Sequence, residues 1–379
     1  MPSRLPSNPP VISGYAPVRP LGAGGFADVF LFQQDMPRRQ VAVKVLLKDF
    51  IDPDVLRLFN AEADIMAQLS AHPSILTVYD ASVSADGRPY LVMEHCPDGY
   101  GRAFRKTPVS VGDALNIGVK MASALETAHR MGVLHRDVKP SNILKTSFGS
   151  PVLSDFGIAT SLLGDSQNNV FAMSVPWSSP EVVSESTTGT VASEVWSLGA
   201  TIYSLIAGRS PFEVDDSGAN GRNDLKKRIE KAQYVSIPRK GIPVEVEHVL
   251  LKSMMRNPAQ RQVSMLEFAM ELQETQQALG MRPTQLEVVV DQWASGAEIN
   301  FDDDNLRGVT ISEVEVSTTR QPKSRASLQR RENPDDAVGG RRRGVRLGSS
   351  GKLLFVILGI AVVSFGVTLG VLAALGVFG

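Results

Sequence analysis

Cysteine is nearly missing from this chain of 379 residues: Cys96 stands alone, which excludes an intramolecular disulfide and fits a reducing compartment. A bias of charge is missing too. Lysine and arginine number 39 against 40 aspartates and glutamates, a formal net charge of −1 that argues against wholesale nucleic-acid binding. Histidine and cysteine form no cluster with zinc spacing, so no transition-metal site is expected, and His72 and His129 read as structural. Residues 1–14 lack an apolar run and are rich in proline and serine, so they read as a disordered tail without a cleavable signal peptide. At the other end the missing feature is charge. Residues 353–379 carry none, and Ser364 and Thr368 are the polar interruptions. As a helix this stretch would be about 40 Å long, enough to cross a hydrocarbon core of about 30 Å.

What is present is a constellation for handling phosphate. His135-Arg136-Asp137-Val138-Lys139-Pro140-Ser141-Asn142 is followed by Asp155-Phe156-Gly157. A phosphoryl group in transit carries several negative oxygens, so its catalyst works chiefly by positioning and by neutralising charge. Magnesium takes hard oxygen ligands, which Asn142 and Asp155 supply. Asp137 stands where a carboxylate could orient a hydroxyl and accept its proton. These strings resemble the catalytic loop H-R-D-x-x-x-x-N and the metal loop D-F-G of the eukaryotic-type (Hanks-type) serine/threonine protein kinases, bacterial membrane-anchored type, and they match at every defining position.

The resemblance runs from residue 15 to about residue 275 and assigns further roles. Leu21, Gly22, Ala23, Gly24, Gly25 and Val29 stand where a glycine-rich loop folds over ATP phosphates, with Ala27 in place of the third glycine. In the strand 41–47, Val41, Val43 and Val45 share one face while Lys44 leaves from the other; a lysine in an apolar strand needs a partner. The family pattern makes Lys44 the phosphate-holding residue, Glu62 its partner on a helix starting near Asp52-Pro53, and Ala42 a nucleotide contact. Leu56, Phe59, Ala63, Met66 and Leu69 follow helical spacing on that helix. Met93 resembles the gatekeeper behind adenine, and Glu94 to Cys96 a hinge offering backbone hydrogen bonds.

Residues 158–180 resemble an activation segment ending in Ser179-Pro180-Glu181, with Thr160, Ser161 and Ser166 as candidate phosphoacceptors for pairing with Arg136. Lys139 and Ser174 imply a serine or threonine acceptor rather than tyrosine. Glu194-Val195-Trp196-Ser197-Leu198-Gly199 resembles the D-x-W-S-x-G helix under the catalytic loop, with glutamate for aspartate. Arg261 is implied as the partner of Glu181.

The expected architecture is α+β: a bilobal kinase fold over 15–278, with an antiparallel β N-lobe, a helical C-lobe, and ATP and Mg2+ between them. Asp137 and Lys139 would be catalytic. A charged linker would fill 279–352 and a single transmembrane helix 353–379. Residues 281–315 hold eight acids and two arginines, whereas 319–352 hold ten basic residues and three acids. The basic half could lie on anionic lipid. The acidic half, with Thr318 and Thr319 at its edge, could be an autophosphorylation tail for a phosphopeptide-binding partner, or a solvated tether; short apolar runs such as 286–290 could still dock on the kinase. Arg341, Arg342, Arg343, Arg346 and Lys352 place the kinase in the cytoplasm by the positive-inside rule, with Gly379 at or beyond the outer face and little left for an ectodomain. Gly366 and Gly370 could pair two helices as a homodimer. Protein substrates are implied by the family. A pseudokinase scaffold and a membrane-recruitment adaptor are the alternative functions.

Overall fold

In this computed structural model, residues 4–51, 53–101, 103–156, 174–215 and 217–288 are described. Gly157, the phosphoacceptor candidates Thr160, Ser161 and Ser166, the linker beyond 288 with Thr318 and Thr319, and the segment 353–379 with Gly366 and Gly370 lie outside them. The chain divides into a unit ending at Ile299 and a second, Asn300–Gly379, which is wholly outside the described residues.

Period-two alternation builds the first lobe. Strands β1 (Tyr15–Ala23), β2 (Ala27–Gln34), β3 (Arg39–Leu46), β4 (Val78–Val83) and β5 (Pro89–Glu94) form an antiparallel sheet in the order β1-β2-β3-β5-β4. On one face Val41, Val43 and Val45 pack with Phe30, Phe32, Tyr90 and Val92. Ala42 belongs to the other face, with Met93 opposite it in register. Helix α1 (Pro53–Leu69) follows β3 and buries Phe59, Ala63, Met66 and Leu69, while Leu56 is half-buried.

The second lobe is helical. A small sheet of β6 (Asp98–Gly99), β7 (Ile143–Lys145) and β8 (Pro151–Leu153) carries the catalytic and metal loops at its ends. The helices are α2 (Ala103–Lys106), α3 (Val111–Arg130), α4 (Pro180–Val183), α5 (Val191–Ala207), α6 (Arg222–Glu230), α7 (Val244–Ser253) and α8 (Met265–Ala278), of which α3 packs on β8. At the centre, α3 crosses α5 and α8 through Gly118. A Cβ there would lie 2.7 Å from Ile202 Cδ1 and 3.0 Å from Leu272 Cδ1, so a larger residue would force these side-chain ends to shift. Helix α5 starts with a capping box between Thr190 and Ser193 and stops at Gly208, whose φ of 77° suits a left-handed C-terminal residue. Among the described residues no helix is long and apolar enough to cross a membrane.

Both flanks of the domain are more tightly held than their composition implies. Residues 4–10, expected as part of a free tail, lie on the first lobe. Ser7 N–H donates to Asp28 Oδ2 at 2.7 Å, and Arg88 Nη2 donates to Asn8 O at 2.9 Å. Past residue 278, where the linker was expected to begin, the chain continues against the second lobe. Thr284 Oγ1 accepts from Asn116 Nδ2 at 3.0 Å and from Gln276 Nε2 at 2.9 Å, and Leu286 packs on the main core.

Candidate active site

Lys44 points from β3 into the space beneath the sheet. Its Nζ lies 2.6 Å from Glu62 Oε1 on α1 and 3.1 Å from Asp155 Oδ1. Burial acts to lower the lysine pKa, but the two carboxylates outweigh it and raise it, so the ammonium stays charged. The Lys44 charge in turn holds Asp155 below the usual carboxylate range.

Asp137 is flanked by two donors. Lys139 Nζ sits 2.6 Å from its Oδ2, and Asn142 Nδ2 donates to the same oxygen at 3.1 Å and to the Asp137 carbonyl at 2.9 Å. Lys139 also donates to Ser174 Oγ at 2.9 Å, which joins the catalytic loop to the end of the activation segment. Because the Asn142 amide nitrogen faces Asp137, its Oδ1 is left with a long 3.4 Å contact from Ser141 and is available to a metal. Asp155 keeps half of its side chain open to solvent. An amide oxygen and a carboxylate are a donor set that fits magnesium, whose remaining ligands are usually phosphate oxygens and water.

Two residues in these loops have left-handed backbones without being glycine: Arg136 at φ 64° and Asp155 at φ 56°. Such conformations cost on the order of 1–3 kcal/mol each and persist when neighbours over-determine them. Here Glu194 Oε1 accepts the Arg136 N–H at 2.6 Å, while its Oε2 lies 2.6 Å from His129 Nε2. The longer side chain, glutamate where the family pattern has aspartate, thus still reaches the catalytic loop backbone and spans to α3 as well. His135 Nδ1 accepts from Asp137 N–H at 3.2 Å, so its Nε2–H donates to Ser154 O at 3.0 Å; this fixes the tautomer. Ser154 N–H donates to Asn142 O at 2.9 Å and its hydroxyl reaches Asp155 Oδ2 at 3.3 Å. Ser154, which the sequence did not single out, therefore ties the two metal-ligand candidates to each other.

The protein kinase domain family matches residues 15–293. The chain belongs to that family. It is similar to serine/threonine-protein kinase PknK of Mycobacterium tuberculosis, 37% identical over 284 residues, covering 74% of this chain and 25% of that protein. It is also similar to serine/threonine-protein kinase PrkC of Bacillus subtilis, 28% identical over 330 residues, covering 85% of this chain and 50% of that one. Serine/threonine-protein kinase PknB of Mycobacterium leprae matches at 33% identity over 261 residues, 66% of this chain and 41% of its own. The chain thus spans a quarter to a half of the length of these relatives.

Leu21, Val29, Ala42, Met93 and Cys96 pack on one hydrophobic cluster. Leu144 on β7, two residues after Asn142, packs against the same cluster. Burial, with the Glu94 charge, pushes the Cys96 thiol up to about 12, so it is a neutral wall rather than a nucleophile. Glu94 N–H donates to Thr77 O at 2.9 Å. In the glycine-rich loop, Gly24 N–H donates to Ala27 O at 2.9 Å; a Cβ at Gly24 would sit 2.9 Å from that carbonyl. A Cβ at Gly22 or Gly25 would meet nothing within 4 Å, which leaves room for phosphate oxygens beside the backbone. Ala23 pairs with Asp28 across the turn. Ala27 is not among the residues with positive φ, so alanine costs no strain in place of the third glycine. The expected pair of Glu181 and Arg261 is a two-pronged bridge of 2.7 and 2.9 Å, with the guanidinium 5.0 Å from the Trp196 ring.

Proposed function

We propose that this chain is an ATP- and magnesium-dependent protein kinase that phosphorylates serine and threonine hydroxyls at the cytoplasmic face of a membrane. The observation that carries the first part is Lys139 Nζ set between Asp137 Oδ2 at 2.6 Å and Ser174 Oγ at 2.9 Å. A carboxylate, an ammonium and a small hydroxyl then surround one point, where an aliphatic acceptor hydroxyl would be oriented. Asp137 takes its proton, and Lys139 offsets charge on the transferred group. Lys44, fixed by Glu62, holds phosphate oxygens; Asn142 Oδ1 and Asp155 would hold magnesium. Bound Mg-ATP supplies the γ-phosphoryl group and the divalent charge that neutralises it.

The test uses labelled ATP, the full chain and a generic basic protein substrate. Magnesium-dependent label on serine and threonine is expected, and Asp137→Asn should lower the rate by about 100- to 10,000-fold, the range for a lost general base. Equal transfer by wild type and Asp137→Asn, or label confined to tyrosine, would overturn the assignment.

The membrane part rests on the charge-free run 353–379 and on the arginines and lysine just before it. The basic stretch 319–352 would lie on anionic lipid, and Thr318 and Thr319 would be autophosphorylated for a phosphopeptide-binding partner. Two chains could pair through Gly366 and Gly370.

A further inference from the structure

Asp28 belongs to the strand that leaves the glycine-rich loop, yet it has no solvent exposure. Alternation along β2 turns Val29 toward the cleft cluster that contains Leu21, and so turns Asp28 to the other face of the sheet. A buried carboxylate is costly unless it is paired and hydrogen-bonded. Its partners come from outside the sheet, on the segment preceding β1. Ser7 N–H donates to Oδ2 at 2.7 Å, and the Arg4 guanidinium forms an ion pair with Oδ1. Arg4 Nη2 also donates to Gly24 O at 3.4 Å. One guanidinium therefore touches both arms of the nucleotide loop: a glycine carbonyl on the way in and a carboxylate on the way out.

The segment that brings Arg4 there is itself anchored. Arg88, buried in the turn between β4 and β5, donates to Ser7 Oγ at 3.2 Å and to Asn8 O at 2.9 Å, and its Nε reaches Asp86 Oδ2 at 2.9 Å. Ala85 N–H donates to Val11 O at 3.4 Å. A continuous set of contacts thus runs from the β4–β5 turn, through residues 7–11, to the back of the loop. The loop has few supports of its own, since glycine offers no side chain to pack.

We propose that Arg4 is a positioning residue for the nucleotide: by clamping Gly24 O to Asp28 from the side away from the cleft, it holds the glycine-rich loop in the shape that receives ATP phosphates. The role rests on the ATP-binding function given above. Arg4 would not touch ATP and would act on binding, not on the transfer step.

Titration calorimetry of the full chain with Mg-ATP, beside steady-state kinetics, tests this in wild type, Arg4→Ala and Arg4→Lys. Arg4→Ala leaves the buried Asp28 with the Ser7 N–H but without its counter-charge, so a melting curve accompanies each variant and binding is compared below the lowest melting temperature. Arg4→Ala should raise both the Kd and the KM for Mg-ATP by about 3- to 10-fold, as expected for loss of a charge-assisted contact felt at one remove. Its kcat should change by less than about twofold, and Arg4→Lys should recover most of the affinity, because it keeps the charge that faces Asp28. Unchanged Kd in Arg4→Ala, or a loss of kcat at constant KM, would overturn the clamp. A wild type that binds Mg-ATP but transfers nothing would remove the kinase function instead, and the Kd comparison would still decide the role of Arg4.

Discussion

Arg261 has a side chain with no solvent exposure, and its hydrogen bonds all go to oxygens. Besides the Glu181 carboxylate it donates to Met255 O at 2.8 Å and Ala192 O at 2.9 Å. Replacing Glu181 by glutamine leaves a buried guanidinium without its counter-charge, so Glu181→Gln should cost about 3–5 kcal/mol of stability at neutral pH. Burial acts to raise the Glu181 pKa, but the hydrogen bonds and charge of Arg261 outweigh it and hold the group below its ordinary 4.5. A carboxylate with a depressed folded-state pKa contributes stability above its unfolded value and loses it as pH falls through the folded one. The gap in urea midpoint between wild type and Glu181→Gln should therefore be widest near neutrality and shrink below about pH 4.5; a gap independent of pH would contradict the ion pair. This pair was legible in the sequence because its two members have fixed identities. Ser154 and the contact of His129 with Glu194 were not, because their roles depend on backbone groups and side chains brought near only by folding.

The elements were readable where periodicity is strong. The valines of β3 and the stripe on α1 announce a sheet face and a packed helix, and the glycine-rich loop lies between β1 and β2 as the motif order requires. The end of the domain was harder to place. Residues 281–288 begin a stretch whose acidic composition suggests solvation, yet they dock by backbone as much as by side chain. Glu287 O meets His72 Nε2, Glu287 N–H donates to Ser123 Oγ at 3.3 Å, and Ser74 Oγ donates to Glu287 Oε2 at 3.0 Å. His72 and Ser74 lie in the buried connection between α1 and β4, and Ser74 O in turn accepts from Leu153 N–H, two residues before Asp155. The strap therefore braces the segment that joins Glu62 to the metal loop. Ending the chain after Gly280 would uncover these polar groups and the Leu286 contact, and should lower the melting temperature by about 5–10 °C, given roughly 2–4 °C per kcal/mol at this size. Ending it after Ile299 should leave the melting temperature unchanged. Equal values for the two truncations would show that the strap contributes nothing.

At the scale of the whole molecule, the proposed tether would confine substrate choice by geometry. Sixty-four residues separate the strap from Leu353; as a flexible chain they would span about 45 Å on average, so the catalytic cleft would sample proteins and linkers close to the bilayer. The arrangement depends on 353–379 being a membrane helix rather than a helix packed against protein, and the two differ in what they tolerate at the centre. An arginine there costs about 2.5–3.5 kcal/mol in a bilayer, so Phe365→Arg with Val367→Arg would remove about 5–7 kcal/mol of insertion free energy. The full chain, expressed in a bacterial cell, should stay in the membrane pellet after alkaline carbonate extraction. The double variant and a chain ending at Lys352 should be released, with kinase activity toward a soluble basic substrate kept within about twofold, because the catalytic unit ends at Ile299. Release of the unaltered chain by carbonate would rule out a spanning helix. Retention of the chain ending at Lys352 would instead assign membrane attachment to the basic stretch 319–352 and its attraction to anionic lipid, a contact that raised salt should dissolve within a Debye length of about 3 Å at 1 M.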